Sequence, residues 1–256
     1  VSAQSRPDRE QGVLETLLVI EGRAVELDAH LERLGASLAA LFPGRPAPTG
    51  LARSIEAAAR SQGRGALRLL VSPAIGVDRL EARIEPAPIR AEEVLPPIPP
   101  PVGCASLTVA GGLGAHKWAD REMLERAATG LPPGTVPLIV DWDGAVLEAA
   151  RANVFAVVGE TLLTPPVDGR ILPGVSRARA LRCAAEIGLE ARETAMRRER
   201  LAGADEIFLT SSVRGVERVA AIDGVRLHRP GPIGERIAAA MRRAWSRGAS
   251  DRVPRR

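Results

Sequence analysis

The stretch Val136-Pro137-Leu138-Ile139-Val140-Asp141-Trp142-Asp143-Gly144-Ala145-Val146-Leu147-Glu148 decides how the second half of the chain folds. Two short apolar runs flank an Asp-Gly pair, and Asp-Gly supplies the left-handed backbone that a tight hairpin turn needs. Residues 136–141 and 146–148 are therefore expected to be neighbouring strands. Working outward, residues 153–158, 161–164, 206–210 and 216–222 read as further strands, the last pairing with 225–228 around Asp223-Gly224. Residues 175–187 follow Pro173-Gly174 and read as an amphipathic helix; 120–128, 196–201 and 233–245 read as helices too.

Toward the N-terminus, 106–110 is expected to be a strand before the glycine-rich 111–114, and 96–101 holds five prolines in six positions. Such a run is stiff and extended, and marks a linker. The expected organisation is a small N-terminal domain over 1–95, a linker over 96–103 and a larger C-terminal domain over 104–256. In the first domain, 13–20 and 24–27 suggest a hairpin about Glu21-Gly22-Arg23. Asp28 is placed to cap a helix whose stripe is Leu31, Leu34, Leu38 and Leu41. A second helix over 51–61 and strands over 66–72 and 79–88 follow, while the polar 1–12 is expected to fray. The sum is α+β with mixed sheets, because strands and helices do not alternate regularly as βαβ units.

Hydrophobic residues are 45% and charged residues 26% of the 256, which excludes a disordered chain. No apolar run reaches a membrane span and no N-terminal stretch has the order of a signal peptide, so no membrane partner is expected. Two cysteines, Cys104 and Cys183, cannot build a disulfide framework, which points to the cytoplasm. The formal charge is only +4, and its one basic stretch, 242–256, reads as a solvated end. Aromatic residues are 2% with no tyrosine, too few to stack single-stranded nucleic acid, so no nucleic-acid partner is expected. No metal ion is called for.

The 35 basic residues include a single lysine, Lys117. Chance can leave one lysine in an arginine-rich chain, but a lysine can lose its proton and attack a carbonyl whereas an arginine cannot. Lys117 follows the glycine-rich segment and precedes a helix. Glu148 ends a hairpin strand. Ser176 and Arg177 stand at a helix start, where free N–H groups favour an anion. Thr210, Ser211 and Ser212 offer three hydroxyls after a strand. Each has a plain alternative: a solvated glutamate, a helix-capping Ser176, an ordinary turn. As a set they are an amine, a carboxylate and two phosphate cradles, which is what pyridoxal phosphate requires.

Several segments carry a family resemblance in order along residues 12–222. They are Leu14-Glu15-Thr16 with Gly22; His30-Leu31-Glu32-Arg33-Leu34; His116-Lys117 with Asp120-Arg121; Asp143-Gly144 to Leu147-Glu148 and on to Asn153-Val154-Phe155. Thr164-Pro165-Pro166, Ile171-Leu172-Pro173-Gly174-Val175-Ser176-Arg177 and Ala204-Asp205-Glu206-Ile207-Phe208-Leu209-Thr210-Ser211-Ser212 complete the set. The chain resembles the class IV, or fold type IV, pyridoxal-phosphate enzymes: branched-chain and D-amino-acid aminotransferases and aminodeoxychorismate lyases. The resemblance implies a two-domain homodimer of the D-amino-acid aminotransferase type, with its active site in an interdomain cleft. It makes Lys117 the Schiff-base lysine and Glu148 the partner of the pyridine nitrogen. Arg33, the backbone amides of Val175 and Ser176, and the Ser212 hydroxyl become phosphate ligands, and Leu172 packs on the ring.

His30 reads either as a residue near the cofactor or as a core histidine, and Arg33 either as that phosphate ligand or as a surface ion-pair partner. His116 either shapes the surroundings of Lys117 or merely flanks it, and Asp205-Glu206 reads as structural. With no tyrosine, the chain looks less like the branched-chain enzymes than like the aminodeoxychorismate lyases. The expected reaction converts 4-amino-4-deoxychorismate to 4-aminobenzoate and pyruvate, a step toward folate. The alternatives are a class IV aminotransferase acting on a D- or branched-chain amino acid, and an inactive binding protein that keeps the fold. Arg64, Arg68, Arg151 and Arg214 are candidates to clamp the carboxylates of an anionic substrate.

Overall fold

The computed structural model describes residues 6–96, 99–201, 203–227 and 231–250, with side chains described as far as 246. The chain groups into two compact units. The smaller holds Pro7–Pro96, Lys117–Asp120 and the described residues from Arg242; the larger holds Arg121–Met241 and the described part of 97–116. Of the proline-rich stretch, Pro97 and Ile98 lie outside the described residues, as do 1–5, His228 and 251–256.

The smaller unit is an antiparallel sheet with two helices. Its strands are β1 (Val13–Ile20), β2 (Arg23–Ala24), β3 (Gly65–Pro73) and β4 (Leu80–Pro86), in the order β2-β1-β3-β4. Alternate residues of β1 point to one face. Val13, Leu17 and Val19 meet Leu34 and Leu38 of α1 (Leu27–Leu41) and Ile55 and Ala59 of α2 (Leu51–Gln62) in one apolar core. Glu15 stands in the same row as those three apolar residues and is equally buried.

Three local expectations change here. Asp28 does not cap α1: Glu26, in the left-handed conformation at φ 55, is the N-cap, and no side chain closes it. Asp28 lies inside the first turn, where its charge suits the helix N-terminus. The polar start of the chain is ordered from Pro7, since Asp8 caps a 3₁₀ turn over Arg9–Gln11 and its N–H donates to Asp120 Oδ2 at 2.9 Å. Arg242 is not a solvated tail residue either; it donates to the carbonyls of Leu95 and Pro96.

The larger unit is built on a ten-stranded mixed sheet. Its strands are β5 (Val102–Thr108), β6 (Thr135–Val140), β7 (Ala145–Ala149), β8 (Ala152–Val158), β9 (Thr161–Thr164), β10 (Glu190–Glu193), β11 (Met196–Arg197), β12 (Glu206–Ser211), β13 (Gly215–Ile222) and β14 (Val225–Arg226). The order is β10-β9-β8-β12-β13-β5-β6-β7-β11, with β14 on β13. Because β7 also pairs with β8, the six strands β8-β12-β13-β5-β6-β7 close on themselves. All six contribute to one core cluster, including Cys104, Leu138, Val146, Val154, Leu209 and Val219. The helices are α3 (Glu122–Ala128), α4 (Val175–Glu186), the short α5 (Arg198–Leu201) and α6 (Pro232–Ser250).

Mixed pairing is as expected: β5 runs parallel to β6 and β13, and β7 antiparallel to β6 and β8. The expected helix over 196–201 is instead β11 followed by one helical turn, because Met196 pairs with Val146 at the edge of β7. β10, Glu-Ala-Arg-Glu, has no apolar alternation; it pairs in parallel with β9, and its Glu193 accepts from Arg177 Nη2 of α4 at 2.7 Å. Asp205 and Glu206 are structural: Asp205 accepts from Gly159 N–H at 2.7 Å, and Glu206 accepts from Ile233 and Gly234 N–H at the start of α6, both at 2.8 Å. Among the described residues no helix is long and apolar enough to cross a membrane.

Candidate functional site

Glu148 of β7, Asn153 of β8 and Thr210 of β12 are direct cross-strand partners in turn. Such partners leave a sheet on the same face, so the three side chains form one polar row. All are buried, at 6%, 4% and 2% exposure. Beside this row, Phe155 of β8 and Phe208 of β12 are cross-strand partners and stack with centroids 5.2 Å apart.

The chain crosses this row at 171–174 and then starts α4. Leu172 N–H donates to Glu148 Oε2 at 3.3 Å, and Asn153 Nδ2 donates to Leu172 O at 3.0 Å and to Glu148 Oε2 at 3.5 Å. Gly174 is required by this approach, since a Cβ there would lie 1.8 Å from Asn153 Oδ1. Gly112 plays a similar part on the other side of the loop. Its φ is 69, and a Cβ would fall 2.1 Å from the Arg170 carbonyl. Asp141 steadies the same loop through Arg170 Nη1 at 3.1 Å. The Gly111 N–H, with Trp142 N–H and Arg170, outweighs burial and holds the Asp141 carboxyl below the usual range.

The N-cap of α4 is Gly174, with no side-chain cap. Ser176 is therefore within the helix rather than its cap. The first-turn N–H groups, Val175 and Ser176 among them, face a helix start that attracts an anion. Ser176 Oγ lies 3.3 Å from Ser212 Oγ, which joins the two hydroxyls at that end. Thr210 Oγ1 is buried with no hydrogen-bond partner, an unusual condition for a hydroxyl. A buried carboxylate with a loop backbone bonded to it, a helix start with two hydroxyls and an orphan hydroxyl thus lie close together. These residues fit a phosphorylated pyridine.

In the smaller unit Lys117 is tied to the start of β1 by main-chain bonds. Leu14 N–H donates to Lys117 O at 2.8 Å, Ala119 N–H to Gly12 O at 3.0 Å, and Trp118 forms a bridge with Val13. Burial lowers the pKa of the neighbouring His116, favouring its neutral form. Arg33 is not a surface residue. Its Nε and Nη2 hold Glu15 Oε1 and Oε2 at 2.9 and 2.5 Å. His30, 1% exposed, meets Glu15 Oε2 through Nδ1 at 2.7 Å. A carboxylate only accepts, so Nδ1 carries the proton. Burial pushes Glu15 up, but the Arg33 charge and the bonds from His30 and Arg33 outweigh it, lowering its pKa from 4.5 to about 2.

The four candidate clamp arginines are placed differently. Arg151 grips buried Glu217 bidentately at 2.5 and 3.0 Å, and Arg214 Nε lies 3.9 Å from the same carboxylate. Arg64 donates to Val94 O at 3.3 Å. Arg68, opposite Thr16 on β3, has a buried Nε with no partner. The structure thus brings Glu148, Leu172, Val175, Ser176 and Ser212 together in the larger unit and Arg33 with His30 in the smaller. Asn153 and Glu15 lacked an assigned role in the sequence. The available signals were a glutamate and an asparagine five residues apart across a tight hairpin, and one carboxylate in the apolar row of β1.

A family model described as "Amino-transferase class IV" matches residues 12–222, most of the chain. The chain belongs to the class IV aminotransferases. Among curated class IV relatives, the branched-chain-amino-acid aminotransferase of Salmonella typhimurium is 35% identical over 106 residues, 41% of this chain and only 34% of that protein. The chain thus matches about a third of the length of that relative. The bifunctional aminodeoxychorismate lyase / D-amino acid transaminase of Mycobacterium tuberculosis is 31% identical over 90% of this chain and 88% of that protein. A hypothetical aminotransferase from Mycobacterium tuberculosis, solved in a PLP-bound form, superposes with a TM-score of 0.81 at 28% identity, covering 94% of this chain and 90% of that one. Its form bound to alpha-ketoglutarate and PMP superposes at 0.82. The architecture is that of fold type IV.

Proposed function

We propose that this chain is a pyridoxal-phosphate enzyme that converts 4-amino-4-deoxychorismate to 4-aminobenzoate and pyruvate. The observation that carries the reading is the buried row of Glu148, Asn153 and Thr210 beside the loop of Leu172 and the start of α4. The bifunctional relative, matched over most of both chains, supports this choice of reaction.

When bound, the cofactor supplies an aldehyde for an amine and a ring that takes up electrons from the carbon bearing the substrate nitrogen. Lys117, the one side-chain amine of the chain, would hold that aldehyde until the substrate amine takes its place and, once freed by that exchange, would take the proton from that carbon. Glu148 holds a proton at the ring nitrogen. The N–H groups of Val175 and Ser176, the hydroxyls of Ser176 and Ser212, and Arg33 hold the phosphate. Leu172 packs on the ring. In the lyase the C–O bond to the enolpyruvyl group breaks and its electron pair leaves on that oxygen. The six-membered ring becomes aromatic, and the enolpyruvate takes up a proton at its methylene to become pyruvate.

A second reading, a transaminase for a D- or branched-chain amino acid, has its own support. The bifunctional relative is named for both activities, and the superposed aminotransferase was solved with alpha-ketoglutarate and PMP. Both readings use the same residues until the proton is removed. We also place the protein in the cytoplasm, where its buried free cysteines Cys104 and Cys183 stay reduced, and as a homodimer, to be checked by light scattering.

The deciding assay supplies 4-amino-4-deoxychorismate alone, then D-alanine or L-leucine with 2-oxoglutarate. Pyruvate and 4-aminobenzoate without an amino acceptor support the lyase; a keto acid formed only with the acceptor overturns it in favour of the transaminase. Borohydride treatment of cofactor-loaded protein should label the Lys117 peptide. Lys117→Arg should abolish that label and lower turnover by roughly a thousandfold or more, since guanidinium cannot condense with an aldehyde.

A further inference from the structure

Glu148 is held from the neighbouring strand. Asn153 faces it directly across the β7–β8 pair, 4% exposed, and its Nδ2 reaches both Glu148 Oε2 and Leu172 O. Leu172 N–H closes the figure on the same Oε2. One side-chain amide and one backbone amide thereby join the strand carboxylate to the loop that carries the ring-packing side chain.

We propose that Asn153 is a positioning residue that orients the Glu148 carboxylate for the cofactor's ring nitrogen while locking the Leu172 loop beside it. The proposal rests on the pyridoxal-phosphate reading above.

The chemistry of the surroundings dictates which way the amide points. Leu172 O and the Glu148 carboxylate are both acceptors, so only the NH₂ group can face them, and its two hydrogens serve the two acceptors. The carbonyl end then falls against Gly174, in the space a Cβ would take. Glycine at the start of α4 and asparagine on β8 are two halves of one fit. An amide also carries no charge. It can fix the rotamer of a buried carboxylate without neutralising it, whereas a lysine or arginine in its place would cancel the charge it orients. Aspartate has nearly the same shape but only acceptors when ionised. At this position it would face two acceptors and set two carboxylates against each other, so that one holds a proton.

The test separates orientation toward the ring nitrogen from general support of the fold. Apo-protein is titrated with pyridoxal phosphate and with its 1-deaza analogue, in which C–H replaces the ring nitrogen, and binding is followed by equilibrium dialysis. Wild type should prefer pyridoxal phosphate by roughly tenfold, the scale of one hydrogen bond to a charged group. Glu148→Gln and Asn153→Asp should each reduce that preference at least about fivefold, and the double variant should reduce it no further than either alone. Asn153→Ala offers the same comparison should Asn153→Asp fail to fold, with far-ultraviolet circular dichroism as the check. A preference that stays intact in both Asn153 variants but collapses in Glu148→Gln would overturn the inference, leaving Asn153 a structural residue. Loss of both ligands by equal factors would do the same. A wild-type protein that binds neither ligand would instead overturn the cofactor reading, and this inference with it.

Discussion

Glu15 and Glu148 are both strand carboxylates, 2% and 6% exposed, and the chain surrounds them differently. Glu15, in the smaller unit, is met by the guanidinium of Arg33 and the ring of His30, both from α1. Glu148, in the larger unit, receives a side-chain amide from the next strand and a backbone N–H from a loop. Charged partners set both the geometry and the ionisation of a buried acid. Amide partners set its geometry and add no charge of their own. The first arrangement ties α1 to β1, and the second suits the role proposed for Glu148, a carboxylate that meets a protonated ring. Of two other buried acids, Glu217 is gripped by Arg151, whereas Glu206 holds the start of α6 to β12 through two backbone N–H groups and no charged partner among those bonds.

The contrast can be broken most forcefully at Glu15. Glu15→Gln removes the negative charge facing Arg33 and turns an NH₂ donor toward the donors of Arg33 and His30 in place of one accepting oxygen, and should cost about 3 kcal/mol of stability at neutral pH. Urea unfolding of the apo-protein measures it, and a loss below about 1 kcal/mol would mean the cluster is not an anchor. The same pair makes a pH prediction. Glu15 has a folded pKa of about 2 against an ordinary 4.5, so its contribution is fully present above pH 4.5 and is lost as the pH falls toward 2. Wild type should therefore lose stability through that window more steeply than Glu15→Gln.

Glu148→Gln should behave in the opposite manner. We expect turnover to fall about a hundredfold, equivalent to roughly 2.7 kcal/mol of barrier. The unfolding midpoint of the apo-protein should barely move, because an amide can still accept from Leu172 N–H. A large loss of stability with unchanged turnover would reverse the roles assigned to the two acids. The smallest effect is expected at Arg151→Ala. Arg214 remains near Glu217, so the loss should be roughly 1–2 kcal/mol, visible as a lower melting temperature. An unchanged melting temperature with a large rise in KM would instead favour Arg151 as a substrate clamp.

Most strands were legible because their residues alternate or run apolar between turn signals. Residues 13–20 and 161–164 coincide with β1 and β9, and the Asp143-Gly144 hairpin joins β6 to β7. β10 was not legible, since its four polar and small residues carry no apolar pattern and are held by pairing to β9 and by the Arg177–Glu193 ion pair. Nor was the short strand at Met196, where edge pairing to β7 overrides a helical pattern. At the candidate site, the residue types were visible in the chain: one lysine, a glutamate ending a hairpin strand, a serine at a helix start and hydroxyls after a strand. What they bond to was not.

By itself, then, the sequence determined most of the kinds of element, the presence of a single lysine, and the ordered segments that mark the class IV family. Those depend on local patterns, and local patterns are written residue by residue. Only the tertiary structure decided that Arg33 turns inward to Glu15, that Arg151 belongs to Glu217, and that Asn153 reaches across to Glu148 and Leu172. Each of those pairings is made across strand registers or between a helix or loop and a strand. A hydrogen bond depends on tenths of an ångström between groups that the chain brings together only when its sheets close.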